Sequence, residues 1–232
     1  MKVALLKKLK RIIMSKFPEI DSIVTAILKG IEEARKNFLF WTNDRLFLSH
    51  GPAKIISIHV AQALAKIKKN APEIFIDATV YDTLRCSLAK RDGFFEYMKR
   101  NNLSAGSFSI TLDERFKHKN DNDSISRAII SIKKNIRNVK REYTEEIERI
   151  CKMLNSKPED QSTLDYGIFA FYTDLPGSAR KKLDVRLDEI IKSFDDVLKT
   201  FPNLKSKYKN TGVITEKDIG EWLIGAYTIK RV

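Results

Sequence analysis

The chain has 232 residues, an apolar fraction of 43% and a formal net charge of +13. That length supports one sizeable domain, or one domain with a helical extension, and the apolar content excludes disorder over the whole length. No stretch approaches the roughly 18 uninterrupted apolar residues of a membrane span, so stable membrane insertion is not expected. Residues 1–17 carry Leu5, Leu6, Leu9, Ile12, Ile13 and Phe17 at helical spacing, with lysines on the other face. This predicts an amphipathic basic helix that docks on the protein or lies on a polyanion or a membrane surface. Lys7, Lys8, Lys10 and Arg11 break its apolar run, which argues against a signal peptide and sets the expected location as cytoplasmic.

A second helix is predicted from Asp21 or Ser22 to about Lys36, with Ile23, Ile27, Ile31 and Ala34 on one side. Residues 37–51 form an aromatic connector holding Phe38, Phe40, Trp41 and Phe47. These rings suit either a core or base stacking. Residues 1–51 are thus expected as a helical extension with its connector, and residues 52–232 as the main domain. Pro52 suits the first turn of a helix reaching about Lys69. Residues 73–80 read as a strand and 81–103 as helical. Residues 106–112 alternate, with Phe108, Ile110 and Leu112 on one face and Ser107, Ser109 and Thr111 on the other. A polar turn is expected through Asp123. Residues 125–133 are predicted as a strand, and 138–155 as a helix with Tyr143, Ile147, Ile150, Cys151 and Leu154 inward. Residues 164–172 suit a buried strand. A long helix then reaches about Thr200, and residues 221–232 form a last strand.

From residue 52 the order is helix, three strands, helix, strand. It predicts an α/β (α+β) fold with a mixed sheet flanked by helices. Two cysteines and three histidines without paired spacing give no metal site. The charge comes in blocks. Lys2, Lys7, Lys8, Lys10, Arg11 and Lys16 precede the first acid. Arg127, Lys133, Lys134, Arg137, Lys140 and Arg141 form a second block. Lys199, Lys205, Lys207 and Lys209 form a third. Clustered cations release counterions from phosphate chains, so nucleic acid is the expected partner.

Two short stretches carry a resemblance. Phe108-Ser109-Ile110 lies in one core strand, and Ile129-Ile130-Ser131-Ile132-Lys133 in the next. Over residues 52–173 the chain resembles the PD-(D/E)XK nucleases, whose restriction-endonuclease-like core is αβββαβ. That family places an Asp on the second core strand and Glu-x-Lys on the third. Here the frame and Lys133 match, while Ser109 and Ser131 stand at the acid positions. The resemblance implies a nuclease-like fold that binds nucleic acid through Arg127, Lys133, Lys134, Arg137, Lys140 and Arg141. It also implies impaired or absent cleavage, since Mg²⁺ needs hard, usually anionic oxygen ligands. No cofactor is expected on this basis. Two alternatives stay open. One is an active Mg²⁺-dependent nuclease with relocated acids, Asp77 foremost beside Lys133. The other is a protein-interaction module, docking an acidic partner or a second copy of the chain.

Overall fold

The computed structural model describes residues 17–88, 93–114, 125–216 and 220–232. The expected basic helix over 1–16 and most of the polar turn before Ile125 lie outside the described residues. No helix among the described residues is long and apolar enough to cross a membrane.

Helix α1 (Ile20–Trp41) runs five residues past its expected end, absorbing part of the aromatic connector. A short 3₁₀ turn (Leu48–His50) leads to α2 (Ala53–Ala65). Strand β1 (Glu73–Ile76) is shorter than its sequence suggests. Asp77 stops it with φ at +58°, a left-handed conformation that breaks the ladder. Helix α3 (Val80–Ser87) starts at Thr79, whose hydroxyl caps the helix by accepting the Asp82 N–H at 3.0 Å. Helix α4 (Phe94–Arg100) precedes β2 (Ile110–Asp113) and β3 (Ser126–Lys134). Then come α5 (Arg141–Leu154), β4 (Tyr166–Pro176) and α6 (Leu183–Leu198). Strands β5 (Leu204–Asn210), β6 (Ile214–Glu216) and β7 (Gly220–Arg231) complete the chain.

The strands form one seven-stranded sheet in the order β1-β2-β3-β4-β7-β5, with β6 also on β7. β1, β2 and β3 are an antiparallel meander, and β4 lies parallel to β3 across the α5 crossover. β7 is antiparallel to both β4 and β5. This is the mixed sheet with flanking helices that the order of elements predicts.

Each face of the sheet buries its own apolar layer. Helices α1 and α2 cover one face with Ile23, Ile27, Ile31, Ile56 and Val60, meeting Ile110, Ile130, Ile168 and Ile224. Residues on both sides of position 51 share this layer. Helices α3 to α6 cover the other face with Leu84, Tyr97, Ile147 and Phe194, meeting Ile129, Phe169, Phe171 and Leu223. The inward stripe expected for α5 is buried as spaced, from Tyr143 through Leu154. The alternation at β2 is not kept. Phe108 joins the α5 layer, whereas Ile110 and Leu112 join the α1 layer, because the regular strand begins only at Ile110.

A polar lock ties α1 to the last strands. Buried Arg35 pairs with Glu216 at 2.6 Å, and its guanidinium lies 3.9 Å over the Trp222 ring. The Trp222 indole N–H donates to the same carboxylate at 2.9 Å. Packing at the sheet centre is equally tight. A Cβ at Gly225 would stand 2.5 Å from Cζ of the buried Phe171 ring. Gly225→Ala is therefore expected to lower stability by about 2 kcal/mol in urea unfolding, the usual cost of overpacking a closed core.

Candidate nucleic-acid interface

Asp77, Ser109 and Ser131 lie in one row across β1, β2 and β3. Ile76 pairs with Ile110 and Ile110 with Ile130, so the residues just beyond these pairs are neighbours. The Asp77 N–H donates to the Ser109 carbonyl at 3.2 Å. The side chains of the row, however, take three different directions.

Ser109 is consumed by the backbone. Its Oγ accepts the Ile132 N–H at 2.9 Å and extends the β2–β3 ladder where the strand kinks. Asp77 pairs with Lys54 of α2, on the α1/α2 side of the sheet. Ser131 is buried on the other side and donates its hydroxyl to Glu146 of α5. Asp77 and Ser131 therefore do not converge on one cleft.

Glu146 is the residue that sequence reasoning missed. Tyr143, Glu146, Ile147 and Ile150 follow the 0, 3, 4, 7 spacing of an inward helical stripe. An acid in that stripe signals a buried polar partner. The helix delivers this carboxylate to the Ser131 hydroxyl. Arg149 neutralises it at 2.6 Å. The same guanidinium donates to the Ser107 carbonyl at 2.9 Å and packs 4.4 Å from the Phe108 ring centre. One Glu146 oxygen thus takes both the serine and the arginine.

This donor set does not fit Mg²⁺. The ion favours several hard oxygen ligands, and here one carboxylate is shared between a hydroxyl and an arginine. Among the described residues no group of three His, Cys, Asp or Glu side chains is placed to hold a metal. Asp113, at the far end of β2, is buried and accepts from Ser126 Oγ at 2.8 Å. Of the two thiols, Cys151 is buried, and that burial pushes its pKa up to about 12. No protein family, curated protein or solved structure matches this chain.

The second basic block is divided by its partners. Arg127 pairs with Asp165 at 2.9 Å near the start of β3, about 20 Å along the strand from Lys133. Lys134 points opposite to Lys133 and donates to the Gly51 carbonyl. Arg137 binds Asp174, a fully buried carboxylate, and also donates to its backbone carbonyl at 2.8 Å. Arg141 pairs with Glu145 at 2.7 Å on the helix surface, and Lys140 lies 3.7 Å from Glu142. Lys133 alone of the six has no ion-pair or hydrogen-bond partner among the described residues, and it is partly exposed beside Ser131. The six cations expected to work together are thus not one patch, because alternate strand residues face opposite sides and several close structural pairs.

Of the aromatic connector, Phe38 is buried while Phe40 and Trp41 are 82% and 63% exposed. The third block supplies what the second does not. Lys205, Lys207 and Lys209 all lie exposed on edge strand β5.

Proposed function

We propose that this protein binds nucleic acid on a nuclease-like fold without cleaving it. The observation that carries the reading is the state of the motif row. Both serines are closed by hydrogen bonds, Glu146 is neutralised by Arg149, and among the described residues Lys133 has no acid partner. A lysine beside neutral hydroxyls and a compensated carboxylate attracts phosphate more readily than a divalent cation. With α3 and α4 inserted between β1 and β2, the three antiparallel strands and the parallel fourth strand across a helix follow the αβββαβ order of the resembling family. The overall charge of +13 favours the same class of partner.

Oligonucleotide binding, titrated with salt, tests the reading. Affinity is expected to fall steeply between low and moderate salt, in proportion to the phosphates contacted. Lys133→Ala is expected to reduce the logarithmic slope by about 1 and the affinity by roughly 3- to 10-fold. Affinity that ignores salt removes the phosphate contact.

The rival reading is a metal-dependent nuclease with a relocated acid, which the pairing of Glu146 with Arg149 opposes. Glu146 replaces Asp77 as the acid to test. Plasmid incubated with Mg²⁺ or Mn²⁺ is expected to stay intact. Cleavage by the native protein, lost in Glu146→Gln, would establish the nuclease instead.

A further inference from the structure

Strand β5 reads Leu-Lys-Ser-Lys-Tyr-Lys-Asn, and its alternation separates two kinds of side chain. Tyr208 turns toward the α6 side and stacks on Phe171 with an interplanar angle of 4°. Ser206 reaches Asp195 of α6 at 3.4 Å. Lys205, Lys207 and Lys209 turn to the α1 side, about 7 Å apart at two residues per step. The register then adds a fourth cation, because Lys230 of β7 lies directly opposite Lys205.

Like charges directly opposite each other on a sheet are destabilising. Two acids border the cluster. Asp21 pairs with Lys207 at 3.0 Å, but both side chains are about two-thirds or more exposed, so the pair holds weakly. Lys207 first, with Lys209 and Lys230 behind it, holds the Asp21 carboxyl below its ordinary pKa. Glu19 lines the same hollow of about 200 Å³ with Asp21, Lys207, Thr228 and Lys230. Among the described residues Lys209 has the Thr25 hydroxyl, at 3.4 Å, and no acid in an ion pair.

Lysines on an edge strand also discourage edge-to-edge pairing. That role accounts for β5, but not for Lys230. Residue 230 sits between β4 and β5, paired with Tyr166 on one side and Lys205 on the other. A lysine on an inner strand guards no edge, and its placement against Lys205 raises the repulsion.

We propose that Lys205, Lys207, Lys209 and Lys230 form a binding face for the sugar–phosphate backbone of nucleic acid. The face is separate from Lys133, which lies on the opposite side of the sheet. The proposal rests on the nucleic-acid reading above and assigns it a second surface. Phosphates relieve the repulsion among the four ammonium groups, and Asp21 competes with them for Lys207.

The test uses the full chain and a labelled duplex of about 20 base pairs. The triple variant Lys205→Gln, Lys207→Gln, Lys209→Gln is expected to flatten the logarithmic salt slope by roughly 2 to 3, at about 0.9 per phosphate contact. It should weaken binding at low salt by about 10-fold or more. Asp21→Asn is expected to tighten binding by about 2- to 5-fold at low salt, a gain that misfolding does not produce. Unchanged slope and affinity in the triple variant, in a protein whose binding still responds to Lys133→Ala, overturns this face alone. Unchanged binding with new self-association assigns the lysines to edge protection and overturns it too. If the native protein binds no duplex, the nucleic-acid reading falls and the face falls with it.

Discussion

Arg137→Ala is expected to lower the free energy of unfolding by about 3 kcal/mol or more, the scale for stranding a buried charge. Asp174 is fully buried near the end of β4, and Arg137 is the cation that meets it. The guanidinium spans two acceptors, the Asp174 carboxylate and its own carbonyl. Removing it leaves a buried carboxylate without its paired cation. Arg137→Lys keeps the charge but loses the fork geometry, so it should recover only part of the loss. Urea unfolding measures both variants. For a chain of this size the Ala variant should melt roughly 6–12 °C lower. Wild-type stability in Arg137→Ala, with a loss of nucleic-acid affinity instead, would return the residue to the interface.

Ser131→Glu is expected to cost about 3–5 kcal/mol, although it supplies the acid that the resemblance would place at this position. Ser131 and Glu146 are both buried and already bonded to each other. A second carboxylate there meets the first, and Arg149 is already paired with Glu146. The double variant Ser131→Glu, Glu146→Gln should recover at least half of the loss, because it returns one acid to the site. This couples two positions 15 residues apart in sequence and reads the contact directly. A tolerated Ser131→Glu, with no recovery in the double variant, would show that Glu146 does not occupy that place.

The parts of the fold with one-sided apolar spacing were legible in the sequence. The inward stripe of α5 follows a single period, and the structure keeps it. β5 and β6 were not legible. A strand whose outer residues are Lys205, Lys207 and Lys209 resembles a solvated loop until its inner Tyr208 is seen against Phe171. β1 and β2 were misjudged by a few residues. A left-handed Asp77 and a serine at the kink reset the alternation, and neither carries a distinctive local pattern. At the site, charge was legible but pairing was not. Nothing in residues 127–141 shows that Arg127 meets Asp165, or that Arg137 meets Asp174 from beyond the crossover. Glu146 did leave a signal, an acid in an apolar stripe, and only a buried partner gives that signal meaning.

The placement of β7 has a consequence for how the chain reaches its native state. β4 carries ten consecutive buried residues, from Tyr166 to Leu175, and β7 covers one whole edge of it. Tyr166 pairs with Lys230, far along the sequence, so loop closure must precede the contact that rewards it. During synthesis the ribosome releases β4 well before its partner exists. Until β7 arrives, β4 exposes a long apolar edge with free backbone donors and acceptors, the form most prone to intermolecular pairing. Shortening the chain by the dozen residues of β7 should therefore yield aggregates rather than a smaller soluble domain.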